Sequence, residues 1–206
     1  LKHSQKNDSE LQVGRVMEVM SNYQCRVALA DQTVMASISG RLKQFLYQSS
    51  GLLAVGDQVE LDLAPAPDFR IENLIPRRNS LIRYGSGTFQ RDIVIAANID
   101  ILVITTSWLM PRFKPGLVDR YLILAAKHNI APLIVVNKID LCQDFEELEE
   151  SLAYYRQIGC KIILTSTISG EGIDELRDML KDRDSVFSGH SGAGKTALLR
   201  VFSEDV

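Results

Sequence analysis

A phosphate-binding loop is the clearest chemical feature of the sequence. The segment from Gly189 to Thr196 reads Gly-His-Ser-Gly-Ala-Gly-Lys-Thr, after a short β-prone run and before a helix-prone run. Its glycines let the backbone curl so that N–H groups point at phosphate oxygens, and the positive end of the following helix faces the same anion. Lys195 can reach the terminal phosphates, and the Thr196 hydroxyl is placed to bind Mg²⁺. The segment predicts a nucleoside triphosphate site; the alternative is an accidental glycine-rich turn.

A second motif, Asn137-Lys138-Ile139-Asp140, predicts which base is bound. It follows the apolar run 133–136, which is typical of a strand buried on both faces. A carboxylate at Asp140 can accept hydrogen bonds from both the guanine N1–H and its exocyclic amine, and adenine has no such donor pair on that edge. Asn137 would tie this loop to the phosphate-binding segment, and the stem of Lys138 would cover the base. The motif predicts guanine; alone, it would also fit a strand end followed by a helix cap.

A weaker third element follows the strand candidate 161–164. Backbone groups near Ser166 and Thr167 could contact the guanine O6, although a Ser/Thr/Gly loop between a strand and a helix fits the pattern nearly as well. The predicted nucleotide-binding residues are Asn137, Lys138, Asp140, Ser166, Thr167, Gly189, His190, Ser191, Gly192, Ala193, Gly194, Lys195, Thr196 and Ala197.

The order of these motifs in the chain is unusual. In an ordinary GTPase the phosphate loop comes first, whereas here Asn137 precedes Gly189. A doubly wound parallel sheet brings the carboxyl ends of its strands to one edge, so a ligand crevice there depends on spatial order and not on chain order. The sequence therefore predicts a circularly permuted nucleotide-binding domain, in which Asp140 and the phosphate loop share one pocket.

Composition limits the classes of protein that the chain fits. Its 206 residues are 46% hydrophobic, enough for one substantial core and a second small one. The net charge of −3 argues against a polybasic nucleic-acid binder, so any RNA contact would need a local patch. Three cysteines without C-x-x-C spacing suit a reducing cytosol and argue against a disulfide or zinc site within these residues. With neither an apolar run long enough for a membrane span nor a secretion leader, we predict a cytoplasmic protein.

The first half of the chain has the pattern of a small all-β barrel. After a loose polar arm (1–10), residues 11–75 contain one short helix candidate, 41–49, between the third and fourth of five strand candidates. That is the order of an OB-fold, whose exposed face often binds oligonucleotides. Tyr23, Phe45, Tyr47 and Phe69 fit either base stacking or the barrel core. The predicted strands are Val13 to Val19, Cys25 to Leu29, Val34 to Ile38, Val59 to Leu63 and Phe69 to Leu74.

A basic linker is predicted over residues 76–92. It carries Arg77, Arg78, Arg83 and Arg91, which fit an RNA contact or a solvated loop equally well. From residue 93 to 206 the pattern changes to strands alternating with helices, which predicts an α/β domain with a doubly wound parallel sheet.

Taken together, these segments resemble one family along essentially the whole chain. They are the five-stranded N-terminal barrel, Ile95-Ala-Ala-Asn-Ile-Asp100, Asp119-Arg-Tyr-Leu122, Asn137-Lys-Ile-Asp-Leu141, Tyr155-Arg-Gln-Ile-Gly159 and Phe187-Ser-Gly-His-Ser-Gly-Ala-Gly-Lys-Thr196. The sequence is similar to the ribosome small-subunit-dependent GTPase A family (RsgA, also called YjeQ). The permuted motif order makes this resemblance specific.

The resemblance implies a function and partners. Family members are slow GTPases that act late in maturation of the small (30S) ribosomal subunit and contact ribosomal RNA partly through the OB-fold. It therefore implies GTP or GDP with Mg²⁺ as ligands and the small subunit with its 16S rRNA as partners. It also implies a monomer that binds neither DNA nor a membrane. By position, Asn137, Lys138 and Asp140 would hold guanine, the segment 189–196 the phosphates, and Thr196 the magnesium.

The sequence departs from the family pattern at its end. Members continue past the phosphate loop into switch segments, including a D-x-x-G, and then into a small Cys/His zinc module, whereas ten residues follow Thr196 here. We therefore expect an incomplete GTPase domain, with zinc only in the missing module and no zinc ligand in this chain. Hydrolysis needs a metal, a phosphate clamp and an oriented water together, and no catalytic residue can be named for the water.

Two other functions fit parts of the sequence. A P-loop ATPase or kinase would make Asn137 to Asp140 a coincidence. An RNA-binding adaptor would use the OB-fold for its function, with the nucleotide only stiffening the structure. Selectivity for guanine over adenine nucleotides separates an ATPase or kinase from a GTPase. Dependence of small-subunit association on nucleotide binding separates an RNA-binding adaptor from a GTPase.

Overall fold

The computed structural model describes residues 11–20, 24–48, 53–64, 69–83 and 92–203, apart from the side chains of residues 45, 47 and 48. The predicted arm, residues 1–10, lies outside these ranges. The chain divides into two compact units, Leu1–Asn98 and Ile99–Val206. None of the helices in the described ranges has the length and apolar character needed to span a bilayer.

The first unit contains the predicted five-stranded barrel. Its strands are β1 (Gln12–Val19), β2 (Gln24–Ala28), β3 (Thr33–Ile38), β4 (Gln58–Asp62) and β5 (Phe69–Leu74). They close in the order β1-β2-β3-β5-β4, with β4 returning to β1 and β3 running parallel to β5. Closure leaves no open sheet edge, and the order with a helix after the third strand is that of the OB-fold. The sequence-based fold is confirmed.

Alternating side chains fill the barrel. Val16, Val27, Leu61 and Ile71 point inward and are fully buried, as the period of two along a strand requires. Helix α1 (Gly40–Gln48) adds Leu42 and Leu46, which are one helical turn apart, to the same core. Phe69 packs against this core as well, so it fits core packing better than base stacking. Tyr23 lies outside the described residues, as do the side chains of Phe45 and Tyr47.

The predicted linker contains ordered structure. Strand β6 (Ser80–Arg83) pairs with β7 (Ile93–Ala97) as an antiparallel ribbon, and residues 84–91 between them, including Arg91, lie outside the described ranges. The two compact units divide between Asn98 and Ile99, so β7 lies in the same unit as its partner β6.

The ribbon is fastened to the barrel around Gly56 and Asp57. The Ala97 N–H donates to the Val55 carbonyl, and the Asn98 side-chain amide donates to the Gly56 carbonyl over 2.9 Å. Gly56 has φ +90°, and a Cβ there would fall on the Ala97 carbonyl oxygen, so only glycine fits. Arg77 donates twice to the fully buried Asp57 carboxylate, at 2.7 and 2.8 Å. Arg77 is therefore a structural residue of this contact, which we call the barrel clasp (residues 55–57, 77–78 and 97–98).

The second unit is built on a four-stranded parallel sheet in the order β10-β9-β8-β11. Its strands are β8 (Ile101–Ser107), β9 (Ala131–Asn137), β10 (Lys161–Thr165) and β11 (Ser185–Gly189). All of β8 is buried, as expected of a central strand covered on both faces. The helices are α2 (Pro115–Lys127), α3 (Phe145–Gln157), α4 (Ile173–Leu180) and α5 (Lys195–Ser203), with a 3-10 turn at Ile139–Leu141.

Helices α4 and α5 share a core with the sheet. Val103, Val135 and Ile163 face them from three adjacent strands, and Leu176 and Leu198 are the buried helix residues that meet these side chains. The parallel sheet and alternating helices confirm the predicted α/β class.

Candidate functional site

The predicted nucleotide-binding segments begin where the parallel strands end. Ser107 pairs with Asn137 in register, Asn137 pairs with Thr165, and Gly189 ends β11 beside Thr105. Because all four strands run the same way, the loops that follow them open at one edge of the sheet. The site is therefore assembled in space from segments that lie in permuted order along the chain.

The phosphate loop, residues 189–196, has the backbone that its glycines predict. Gly189, Gly192 and Gly194 have φ of +142°, +82° and +92°, values that side-chain-bearing residues rarely adopt. A Cβ at Gly189 would fall on the Thr105 carbonyl oxygen, and one at Gly194 would fall on the Asn137 Nδ2. The close approach of the loop to β8 and to Asn137 thus requires glycine at both positions.

Backbone carbonyls of the phosphate loop orient the side chain of Lys195. Its Nζ donates to the carbonyl oxygens of Gly189 at 3.0 Å and His190 at 2.7 Å. An ammonium has three donors, so one stays available for an anion in the loop. Helix α5 begins at Lys195 and has no acidic residue in its first turn, which leaves the positive end of the helix uncompensated there. These residues fit a phosphate group.

Further positive charge lies beside the phosphate loop. A cavity of about 540 Å³ is lined by His190 and by the start of α2, including Lys114 and Arg120. The potential on this side of the loop therefore favours anions.

Asn137 joins the base motif to the phosphate loop. Its Nδ2 donates to the Ala193 carbonyl over 3.1 Å, and its Oδ1 accepts from the Thr165 hydroxyl over 3.2 Å. Asn137 and Thr165 are both buried, so the two hydrogen bonds fix the orientation of the amide. The predicted proximity of the two motifs is thus present in the structure.

Asp140 is exposed but held in place by Ser166. The Ser166 hydroxyl donates to Asp140 Oδ1 over 2.6 Å and accepts from the N–H groups of Ile168 and Ser169. Ser166 is fully buried, which ties the third predicted element to the second through one side chain. The remaining lone pairs of the carboxylate face no described donor in these contacts and suit a ligand with two adjacent N–H groups.

Lys138 adopts a left-handed conformation, φ 63°, between the strand and the 3-10 turn. Its Nζ donates to the Met110 carbonyl oxygen over 2.5 Å. The sequence did not predict this partner, because Met110 lies in the loop after β8, which has no motif of its own. Thr165 was also missed, although its position at a strand end next to Ser166 could have indicated it.

One buried polar atom near the phosphate loop lacks a partner. Within the described part of the chain, Thr105 Oγ1 is buried and makes no hydrogen bond. Thr105 pairs in register with Gly189, the first residue of the phosphate loop. Such unsatisfied groups are uncommon in folded proteins.

Thr196 is the only predicted metal-binding residue, and it is exposed at the first turn of α5. A hydroxyl there is an oxygen ligand of the kind that Mg²⁺ prefers, and such ions are usually completed by phosphate oxygens and water. Across residues 11–203, wherever the structure describes them, no group of three His, Cys, Asp or Glu side chains is arranged to hold a metal.

This sheet order and these loops define a class of protein, the circularly permuted P-loop GTPase fold with an N-terminal OB-fold. The family model described as "RsgA GTPase" matches residues 74–206. The chain belongs to the RsgA GTPase family.

Individual relatives agree with this assignment. The chain is 44% identical over 165 residues to the small ribosomal subunit biogenesis GTPase RsgA of Chlorobaculum tepidum, covering 75% of this chain and 52% of the relative. The crystal structure of YjeQ from Thermotoga maritima has a TM-score of 0.77 at 26% identity, covering 95% of this chain and 66% of that one. The crystal structure of YloQ, described as a circularly permuted GTPase, has a TM-score of 0.72 at 26% identity, covering 100% and 68%. The chain spans about half the length of the curated relatives it matches.

Proposed function

We propose that this chain is the guanine-nucleotide-binding part of a GTPase that acts in small ribosomal subunit biogenesis. The observation that carries the proposal is the hydrogen bond from Asn137 Nδ2 to the Ala193 carbonyl. It joins a base-recognition motif to a phosphate cradle in one site, which neither an isolated glycine-rich turn nor an isolated helix cap would need. Family membership favours this function over a P-loop ATPase or kinase and over an RNA-binding adaptor.

The proposed ligand is GTP or GDP. Asp140, oriented by Ser166, accepts from the N1–H and the amine of guanine, while the stem of Lys138 covers the base. Backbone groups at Ser166 and Thr167 are the proposed contacts to the guanine O6. Residues 189–197 hold the phosphates, with Lys195 as the charged contact.

The proposed metal is Mg²⁺, with Thr196 as its protein ligand. When bound, the ion neutralises charge that develops on the phosphate oxygens. Lys195 and the loop N–H groups do the same from the protein side and orient the terminal phosphate. No residue of this chain is assigned to orient the attacking water. Zinc stays a prediction for a Cys/His module outside these residues.

The proposed partner is the small ribosomal subunit, since the relatives named above are small ribosomal subunit biogenesis GTPases. We propose that the barrel contributes a contact to its 16S rRNA, because an OB-fold commonly presents an exposed face to oligonucleotides. With this partner, we propose that the protein acts in the cytoplasm. Action as a monomer also stays a prediction.

A nucleotide-competition experiment tests the proposed ligand. Labelled GDP bound to the chain is challenged with GTP, GDP, ATP and ADP at equal concentrations in the presence of Mg²⁺. We expect the two guanine nucleotides to displace the label and the adenine nucleotides to leave it bound. Equal displacement by ATP and GTP would contradict the guanine assignment while leaving a P-loop nucleotide site in place.

A further inference from the structure

The loop between β8 and α2 lies beside both halves of the proposed nucleotide site. We call residues 108–113 the bridging loop. Its Met110 carbonyl oxygen accepts from Lys138 Nζ over 2.5 Å, on the side of the base motif. Its Pro111 lies next to the phosphate loop, since a Cβ built on Gly192 would stand 3.5 Å from Pro111 Cδ.

The backbone of the bridging loop is shaped to make the first of these contacts. Met110 has φ 52°, an uncommon conformation for a residue with a side chain, and that side chain is 74% exposed. Lys138, at the other end of the hydrogen bond, has φ 63°. Two left-handed residues thus face each other through one ammonium–carbonyl contact, and such conformations persist only where the surroundings hold them.

Hydrogen bonds at the base of the loop hold it in this shape. The buried Ser107 hydroxyl donates to the Pro111 carbonyl over 2.7 Å. The Trp108 N–H donates to the Asn137 carbonyl over 3.4 Å, and the Phe113 N–H donates to the Trp108 carbonyl over 3.0 Å. The loop is therefore attached to the end of β9, from which Lys138 projects.

Three aromatic side chains pack together beneath the bridging loop. The ring of Phe113 packs between Trp108 and Tyr155, with centroids 6.3 Å away in both directions and an edge-on contact to Tyr155. The Tyr155 hydroxyl donates to Asp119 Oδ1 over 2.9 Å. Asp119 and Tyr155 open the two segments, 119–122 and 155–159, that carry part of the family resemblance but have no role in the proposed function.

We propose that the bridging loop is a third wall of the nucleotide site, which holds Lys138 over the base and thereby sets how long the nucleotide stays bound. A free lysine side chain must be ordered when the base binds, whereas one fixed at Met110 is already ordered. Ser107 and Tyr155 act through the loop and are positioning residues. The inference rests on the proposed guanine-nucleotide site.

A double-mutant cycle tests the proposal. Ser107→Ala removes the hydroxyl that shapes the loop, and Lys138→Met removes the ammonium while it keeps an apolar stem. Stopped-flow dissociation of fluorescently labelled GDP gives the rate for each variant and for the double variant. Ser185→Ala is the matched control, because the Ser185 hydroxyl also donates to a nearby carbonyl, that of Arg183, at the opposite end of β11.

We expect Ser107→Ala to raise the GDP dissociation rate by roughly three- to tenfold, the fold-change that corresponds to one net hydrogen bond. In the Lys138→Met background the same change should have little further effect, since the loop then has no ammonium to hold. Tyr155→Phe should raise the rate in the same Lys138-dependent way, and it carries the test if Ser107→Ala fails to fold. Ser185→Ala should leave the rate unchanged.

Two results would overturn the inference. They are an unchanged dissociation rate in folded Ser107→Ala and Tyr155→Phe, and rate increases that persist in full when Lys138 is Met. A purely structural role would lower the melting temperature without this dependence on Lys138. If the unaltered chain binds no guanine nucleotide, the proposed function itself fails, which is a separate outcome.

Discussion

Under the proposed function, base selectivity depends on the carboxylate of Asp140. Its Oδ1 is occupied by the Ser166 hydroxyl. In Asp140→Asn the amide oxygen can keep that bond, which turns the NH₂ group towards the base. Xanthine carries a carbonyl where guanine carries its amine, so the variant should prefer xanthine nucleotides. We expect GDP affinity to fall roughly ten- to a hundredfold, the range for losing a charge-assisted pair of hydrogen bonds, and XDP affinity to rise.

Competition of GDP and XDP against a labelled nucleotide measures this change in base preference. Asp144→Asn is the matched control, since Asp144 caps α3 by accepting from the Glu147 N–H and asparagine caps equally well. An Asp140→Asn chain that still prefers GDP would remove Asp140 from base recognition.

Sequence and structure differ most instructively at single residues. The types and spacing of Asn137, Asp140 and the phosphate loop were sufficient to predict their proximity, because parallel strands end at one edge of a sheet. The contact from Lys138 to Met110 was not predictable, since it depends on left-handed backbone at two residues that carry no glycine signal. The binding roles of all these residues stay predictions until nucleotide binding is measured.

At the scale of elements, the barrel clasp shows what local patterns leave out. The five strands and α1 were predictable from alternation and turn residues. The pairing of β6 with β7 was not, because it depends on contacts such as Asn98 to Gly56, which are 42 residues apart in the chain. From the sequence, the four arginines of the linker fitted an RNA contact and a solvated loop equally well. The structure gives Arg77 a different role, because it pairs with the buried carboxylate of Asp57.

The clasp leads to a stability prediction. Arg77→Ala leaves the Asp57 carboxylate buried without its charged partner and should lower the free energy of unfolding by about 3–5 kcal/mol. Arg78→Ala removes a contact from an exposed side chain to the Asn98 carbonyl and should cost about 1 kcal/mol. Urea unfolding followed by far-UV circular dichroism compares the two. The double variant Arg77→Ala with Asp57→Asn should recover part of the loss, and equal effects of the two single changes would exclude a special role for Arg77.

For the whole molecule, the division into two units predicts which unit a bound nucleotide stabilises. GDP at a hundred times its Kd should stabilise the unit that binds it by about 2.7 kcal/mol. The chain has one tryptophan, Trp108, which is buried in the bridging loop, so its fluorescence reports unfolding of the second unit. We expect GDP to raise the urea midpoint followed by fluorescence, and hydrogen exchange in the barrel strands β1–β5 to stay unchanged. Equal protection of the barrel would contradict a ligand site confined to residues 99–206.

The proposed link between nucleotide binding and association with the ribosome also concerns the whole molecule. Lys195→Ala removes the partly buried ammonium that we propose contacts the phosphates, and with it a charge-assisted hydrogen bond to them. Under the proposed function, the variant should lose the difference in association with small ribosomal subunits between GDP and a non-hydrolysable GTP analogue, as measured by co-sedimentation. Lys181→Ala, at the exposed end of α4, is the control and should keep the difference. Full association of Lys195→Ala in the absence of nucleotide binding would instead support an adaptor in which the barrel carries the function, because RNA contacts on an OB-fold surface need no phosphate cradle.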